Sequence, residues 1–319
     1  MIEVDKERLG FADCLVFNVE KARRDIVEFV RDGVKNFGKN GVLVGLSGGL
    51  DSSTVAYLCV EALGKDKVMG LILPERDSDP KNIDDAMNLA KSLGIPHQKI
   101  DISPIIKDLG AYDLISHDDA SDRMALERIM EQKHAQIIDV NELPSTEHFN
   151  PTIVPGKSMS VTNLKNSFTA FGTAKTRTRM MVLYFHATIK NYLVVGTCDR
   201  SEFSIGVYDR YGDGASDITI LEQLYKTQIK QLAKNVGVPD HIVNKPSSAD
   251  LFGMSMPNEE LIGLSYLKLD DILCGIGSGV ADDVIASKSG VQPDIVKSVR
   301  KAMKDASFVA SLPLSLSSL

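Results

Sequence analysis

The 319-residue sequence has no tryptophan, only four cysteines, no surplus of basic residues and no apolar run of membrane-spanning length. Each absence removes a class of function. Cys14, Cys59, Cys198 and Cys274 stand far apart with no C-x-x-C pair, which disfavours a disulfide framework, a zinc ribbon or a dithiol redox centre and favours a reducing compartment. Lys and Arg total 36 against 43 Asp and Glu, a net charge of -7, so a nucleic acid backbone is not the expected main partner and any basic site must be local. Glu3, Asp5 and Glu7 are out of place in a secretory leader. The expectation is a cytoplasmic protein with no membrane partner. The hydrophobic fraction, 43%, is ordinary for a globular chain, and the length suits one large α/β domain or two small ones.

What is present centres on Gly45-Leu46-Ser47-Gly48-Gly49-Leu50-Asp51-Ser52-Ser53. The run follows an apolar strand candidate, 42–44, and precedes an apolar-periodic helix that begins near Thr54. Without side chains at Gly48 and Gly49 the backbone can approach a ligand closely. The N–H groups of the helix start and the hydroxyls of Ser47, Ser52 and Ser53 then form a phosphate cradle. The spacing is not that of a Walker loop, and no lysine reaches the terminal phosphates. Asp51 puts a carboxylate where anions should bind, which makes sense chiefly with Mg2+ between acid and phosphate; the plainer reading is a tight turn with Asp51 as helix N-cap.

Along the chain, helical periodicity marks 17–37 and 82–93, and buried strands fit 68–73, 97–102 and 192–195. Alternating strands and helices imply a parallel sheet with crossover helices, whose ligands bind beyond the carboxyl ends of the strands. The loops 47–52, 74–78 and 196–202 lie at such ends. From 109 to 173 the periodicity weakens: 120–140 is a helix candidate, and 144–161, rich in Pro, Ser, Thr, Asn and Gly, is read as an insertion near the site. Lys175, Arg177 and Arg179 are read as opening the next helix, where cations oppose the macrodipole unless an anion lies nearby. A turn-rich acidic loop covers 211–217, and Asp51, Glu202 and Asp213 are candidates to converge on one Mg2+. A helix is expected at 221–236 with Lys226 in its first half, then two pieces over 280–308 broken near Gly290 and Pro293, and a mobile tail at 311–319.

Ser47-Gly48-Gly49-Leu50-Asp51-Ser52 resembles the pyrophosphate-binding loop of the adenine nucleotide α-hydrolases, the ATP pyrophosphatases. Further on, the segments from Lys175 to Met180, Val195 to Thr197, Ser201-Glu202, Tyr211 to Gly214, Leu224 to Gln228 and Pro246 to Leu251 resemble ammonia-dependent NAD synthetase in the same order. The resemblance spans nearly the whole chain except 109–173 and the tail. It implies a single domain with a Rossmann-like, doubly wound parallel sheet. It also implies ATP-dependent amide synthesis: a substrate carboxylate attacks the α-phosphate, pyrophosphate leaves into the glycine loop, and ammonia displaces AMP from the acyl-adenylate.

Carried onto matching positions, the resemblance implies that Gly45, Ser47, Gly48, Gly49, Asp51 and Ser52 hold the pyrophosphate, and that Thr197, Lys226 and Ser248 contact ATP. Asp51 and Glu202 would hold Mg2+, with Asp213 as a further candidate; Arg177, Arg210 and Asp217 fall where the family meets deamido-NAD. Asp51, Lys226 and Arg177 are the expected catalytic set. The family forms homodimers with the acceptor site at the interface. The chain departs from the family in having Asp199-Arg200 for Asn-Lys, Asp209-Arg210 for Thr-Lys and, ungapped, Phe308-Val309-Ala310 where a His-Lys-Arg cluster is usual. Deamido-NAD is the expected acceptor; the alternative is a less phosphorylated carboxylic acid. A sulfur- or tRNA-modifying enzyme would want a cysteine cluster and a basic surface, and a non-catalytic sensor would have less use for Asp51 and Glu202. With no glutaminase segment in view, free ammonia is the expected nitrogen source.

Overall fold

The computed structural model describes residues 14–115, 117, 159–251 and 257–311, of which 159–168 are described as backbone only. Short aliphatic runs without polar alternation can be buried on both faces only inside a helix-covered parallel sheet. Three central strands meet that demand, β1 (Gly41–Gly45), β2 (Val68–Ile72) and β4 (Tyr192–Gly196), and two short, less buried strands, β3 (His97–Lys99) and β5 (Ile218–Thr219), edge them. All pair in parallel in the order β3-β2-β1-β4-β5, with Val42 opposite both Val68 and Leu193. The strand order reverses between β1 and β4, which leaves a crevice beyond their carboxyl ends.

Side chains alternate across the sheet and seed two cores. Val42 and Val44 face α1 (Val19–Asn36), α2 (Leu50–Leu63) and α3 (Pro80–Leu93), where Val30, Leu58 and Leu89 are buried with them. Leu43 faces the other way, toward α4 (Ser103–Asp108), α5 (Ala111–Leu114) and α6 (Met159–Lys190), where Ile106, Ala111, Phe171 and Val182 pack. Local chemistry sets the helix ends: Asn18 and Asp79 cap α1 and α3, and Gly94 closes α3 in the left-handed region at φ 66°. After α7 (Arg200–Ile205), the helices α8 (Lys226–Val236) and α9 (Asp240–Val243) return to the first core. The later helices α10 (Asn258–Ile262), α11 (Tyr266–Gly277), α12 (Asp282–Ser289) and α13 (Pro293–Ala310) build a third cluster around Leu269, Ile285 and Val296.

Four expectations change. Lys175, Arg177 and Arg179 do not open a helix; α6 begins at Met159, so they lie mid-helix and owe nothing to the macrodipole. The helix expected from 221 begins at Lys226, because Leu221 to Leu224 form a turn, Leu224 N–H donating to the Leu221 carbonyl at 2.9 Å, and Tyr225 in extended conformation is the N-cap. The third strand stops at Lys99. Cys14 and Cys274, 260 residues apart, form a disulfide that ties the N-terminal segment to α11. Distance along the chain says nothing of distance in space, and both cysteines border the third cluster beside Leu15 and Leu273. The 120–140 helix candidate and the tail from 312 lie outside the described residues, as does 144–161 except its last residues, which begin α6.

Lys175 explains itself differently once mid-helix. Its ammonium, fully buried, lies 3.0 Å from Glu75 Oε1 and 2.8 Å from Asp77 Oδ2, donates to the Leu251 carbonyl at 2.6 Å and sits 3.9 Å from the Phe171 ring centroid. Burial pulls Lys175 below the usual lysine range, against the two acids that favour its charge. For Asp77 burial opposes ionisation, but hydrogen bonds from Arg76, Lys175 and His117 outweigh it and hold the carboxyl down to about 2. The depressed value means that this stabilisation is present above the unfolded carboxyl range and is lost as pH falls from 3.8 toward about 2. Lys175→Met removes the buried cation shared by two carboxylates, leaving Asp77 to Arg76 and His117 and Glu75 to the Tyr112 hydroxyl, and should cost about 3 kcal/mol in urea denaturation at neutral pH. Asp77→Asn should flatten the acid limb of the stability profile; an unchanged limb would remove Asp77 as its source.

Candidate active site

The glycine loop occupies the turn from β1 to α2, on one wall of the crevice. Its hydrogen bonds converge inward: Ser47 N–H donates to Ser52 Oγ at 3.2 Å, the Ser47 and Ser52 hydroxyls lie 3.0 Å apart, and Gly49 N–H donates to Ser47 Oγ at 3.3 Å. Ser53 Oγ donates to the Gly49 carbonyl at 2.6 Å. Gly48 has φ 76°, and a Cβ there would lie 2.2 Å from the Asn82 carbonyl oxygen, so only glycine fits. The N-cap of α2 is Gly49, with no side-chain cap. Asp51 is therefore in the first helical turn rather than at the cap, and its carboxylate is free to face the crevice.

It meets Lys226. The Lys226 ammonium is fully buried and lies 2.9 Å from Asp51 Oδ2, 2.7 Å from Asp199 Oδ2 and 3.0 Å from Glu202 Oε1. Asp51 comes from the end of β1, Asp199 and Glu202 from the end of β4, and Lys226 is the first residue of α8, so one cation joins both walls. Burial alone would lower Lys226, but Asp199, Asp51 and Glu202 outweigh it and raise the ammonium well above its usual value. Burial, reinforced by the Asp199 charge, pushes Glu202 up to about 8. Asp199 also caps α7, accepting from Glu202 N–H at 2.8 Å while Glu202 Oε2 accepts Asp199 N–H at 3.1 Å.

Behind Lys226 stands a residue the sequence reading missed. Asp270 of α11, fully buried, accepts from Ser201 Oγ at 2.6 Å and from Thr227 N–H at 2.9 Å, while Ser201 Oγ accepts Lys226 N–H at 3.0 Å. The start of α8 is thereby capped from a different helix. An acid beside Leu269 and Leu273 on the apolar side of α11 was the available signal.

Asp213 does not join Asp51 and Glu202. Its Oδ1 accepts Asp209 N–H at 2.7 Å and its carbonyl faces Cys198 Sγ at 3.4 Å, because the 209–214 loop turns back on itself. Among the described residues no group of three or more acidic, His or Cys side chains is arranged to hold a metal ion. The Asp51–Glu202 pair nonetheless suits a divalent cation, since Asp51 Oδ1 is a buried acceptor without a hydrogen-bond partner. Thr197 is half-buried at the end of β4, and Ser248 Oγ accepts Asp250 N–H at 3.2 Å.

The three acceptor candidates separate. Arg177 Nε lies 3.3 Å from Asp209 Oδ2, and Arg210 donates to the Val309 carbonyl at the end of α13. Both guanidinium groups lie near the Tyr211 ring, at 5.8 and 5.4 Å from its centroid, so Arg177 and Arg210 share one locale. Asp217 is engaged elsewhere, its Oδ2 accepting Val194 N–H at 2.7 Å and its Oδ1 facing the Tyr184 hydroxyl. Burial, with Asp213, Glu202 and Asp199 adding to it, raises the Cys198 thiol well above its usual value, which makes it an inert packing group.

A lysine-free glycine turn at a topological switch point, with an acid in the following helical turn, defines the ATP-pyrophosphatase type of α/β fold. Solved structures agree: an NMN synthetase from Francisella tularensis is 25% identical with TM-score 0.67, covering 94% of this chain and 99% of its own. The NH(3)-dependent NAD(+) synthetase of Thermotoga neapolitana is 37% identical over 255 residues, 80% of this chain and 84% of its own. That of Methanocaldococcus jannaschii is 34% identical over 296 residues, 93% and 96% respectively. The NAD synthase family model matches residues 22–137 and 115–313, and the chain belongs to that family of carbon–nitrogen ligases.

Asp270→Leu would leave the Ser201 hydroxyl and Thr227 N–H without their acceptor. It should destabilise the chain by about 2–3 kcal/mol in denaturant titration. A change below about 0.5 kcal/mol would mean that the start of α8 is capped by other means.

Proposed function

We propose that the protein converts deamido-NAD to NAD by activating the acceptor carboxylate with ATP and amidating it with free ammonia, releasing AMP and pyrophosphate. The observation that carries this reading is the meeting of the glycine loop and the Lys226 cluster at the β1–β4 crevice, in a member of the NAD synthase family. Gly45, Ser47, Gly48, Gly49 and Ser52 would receive the pyrophosphate through loop N–H groups and hydroxyls. Thr197 and Ser248 would contact the nucleotide. Lys226, kept cationic by its three acids and standing at a helix N-terminus, would oppose the charge that develops on the departing phosphates.

Mg2+ would be held by Asp51 and Glu202 and would supply charge neutralisation on the phosphates. Arg177 and Arg210 would bind the acceptor, and Asp217 would support that wall through the β4 backbone. Beyond β2, Tyr112 and Phe171 flank the Arg76 guanidinium at 4.0 and 5.8 Å. A second copy of the chain would cover α6, where Met181, Phe185 and Ile189 are exposed at four-residue spacing in line with Arg177. Such a homodimer brings the acceptor residues to an interface. The cytoplasm suits a consumer of ATP and ammonia, and among the described residues no helix is long and apolar enough to cross a membrane.

One observation favours a second acceptor. The Francisella tularensis neighbour is an NMN synthetase, so the fold also serves a mononucleotide, and Arg210 here is occupied by the Val309 carbonyl. Supplied with MgATP, ammonium and either deamido-NAD or the acid form of the mononucleotide, the enzyme should make NAD, AMP and pyrophosphate in equal amounts from the dinucleotide. Amide formation from the mononucleotide alone would transfer the reading to that acceptor.

Asp51→Ala should abolish AMP formation while the fold persists, as judged by circular dichroism; wild-type turnover would remove Asp51 from the site. Arg177→Ala should raise the acceptor KM by roughly tenfold or more and leave the ATP KM unchanged. An unchanged acceptor KM would exclude it from the acceptor site.

A further inference from the structure

Lys245, just beyond α9, has no part in the roles assigned so far. Its side chain is 17% exposed, and its ammonium donates to the Gly48 carbonyl at 3.1 Å, to Asn82 Oδ1 at 2.8 Å and to Asp85 Oδ2. It therefore joins the glycine loop, α3 and the segment after α9 at one point. We propose that Lys245 is a positioning residue for the phosphate loop. By holding the Gly48 carbonyl it fixes the rotation of the Gly48–Gly49 peptide and aims the Gly49 N–H into the cradle.

The argument starts from the peptide unit. In a planar trans peptide the carbonyl of one residue and the N–H of the next point in opposite directions. Anchoring the Gly48 oxygen on the Lys245 side thus commits the Gly49 N–H to the opposite side, where it lies 3.3 Å from Ser47 Oγ and faces the Ser47–Ser52 hydroxyl pair. Two consecutive glycines have little intrinsic preference about that rotation, because glycine occupies positive and negative φ with similar ease. The contact of Gly48 with the Asn82 carbonyl locates its Cα but leaves the next peptide free to turn. An external donor is what removes the second orientation.

The charge of Lys245 is already met. Asp85 carries an ion pair to it, and His241 Nε2 lies 3.6 Å from the other oxygen of Asp85. Lys245 therefore acts on phosphate through geometry, not as a counter-ion. The consequence is a division of labour: Lys226 supplies charge from the far wall of the crevice, and Lys245 orders the donors of the near wall.

This inference rests on reading the loop as the pyrophosphate cradle, so Ser52→Ala is measured beside the Lys245 variants. Lys245→Met keeps the length of the side chain and removes its donor. It should raise both the ATP KM and the Kd of inorganic pyrophosphate, measured by calorimetry with Mg2+, by about tenfold, as loss of one charged hydrogen bond does. Turnover at saturating ATP and the acceptor KM should stay within about twofold of wild type. Hydrogen exchange in the peptide that covers 45–53 should quicken, and Lys245→Arg should restore most of the pyrophosphate affinity. A folded Lys245→Met that binds pyrophosphate as wild type does, while Ser52→Ala binds it weakly, overturns the inference and leaves the cradle standing. Wild-type affinity in both variants overturns the cradle and the inference with it. If Lys245→Met fails to fold, Lys245→Gln, whose amide reaches less far, takes its place under the same criteria.

Discussion

The structure depends on one buried ammonium more than on any other group. Lys226 has no solvent around it, and an isolated lysine in that position would surrender its proton. Three carboxylates keep it charged, and they come from the two strand ends that flank the switch point. The arrangement is reciprocal, because burial disfavours the charge on both Asp199 and Glu202, with Asp51 adding to it at each and Asp199 at Glu202, while Lys226 favours both charges. The strands β1 and β4 are held by their own backbone ladder; the cluster fixes how the segments beyond them sit against each other, since hydrophobic packing tolerates sliding and a charge at hydrogen-bond distance does not.

A similar solution recurs at the end of β2. Lys175 is buried against Glu75 and Asp77 and against the Phe171 ring, and Arg179 holds the same loop through the Leu73 carbonyl and Ser78. Loops at strand ends carry backbone groups that no sheet partner satisfies, so cations brought in from α6 and α8 order them at a place where apolar side chains cannot. Lys245 does the same for the glycine loop from α9. The loops after β1, β2 and β4 are thus held from behind by a lysine or arginine, and the crevice receives their free faces.

The glycine loop was legible because its chemistry is local: Gly48 needs a positive φ, the serines lie within one turn, and the flanking strand and helix announce themselves by period. The alternating order of strands and helices was legible for the same reason. Lys175 was misread because its partners, Glu75 and Asp77, are about a hundred residues away, and a cation with no visible partner invites a local explanation such as a helix end. Tyr225 and Leu221 fit a helical period yet lie outside the helix, since a single buried turn followed by the N-cap leaves the same apolar spacing. Asp270 and the Cys14–Cys274 pair depend wholly on how the C-terminal helices return to the sheet. Interactions that span the chain leave no period, so the support for the site was less legible than the site.

The same contrast bears on how such an enzyme changes its acceptor. The nucleotide side is built from buried pairs whose removal strands a charge, so substitution there is costly and the chemistry persists. On the side proposed for the acceptor Arg177 is 45% exposed along its side chain, Tyr211 is 51% exposed, and Asp209 meets both. Asp209 accepts from Thr176 Oγ1 and Tyr211 N–H as well as meeting Arg177, so one carboxylate organises that locale. Exposed groups of this kind contribute little to stability and can be exchanged without unfolding the chain. On the reading proposed above, a fold that keeps its activation chemistry in a buried electrostatic knot and its substrate contacts among exposed side chains would hold the reaction constant while the acceptor varies. The coexistence of NAD and NMN synthetases among its neighbours is what that division of stability would produce.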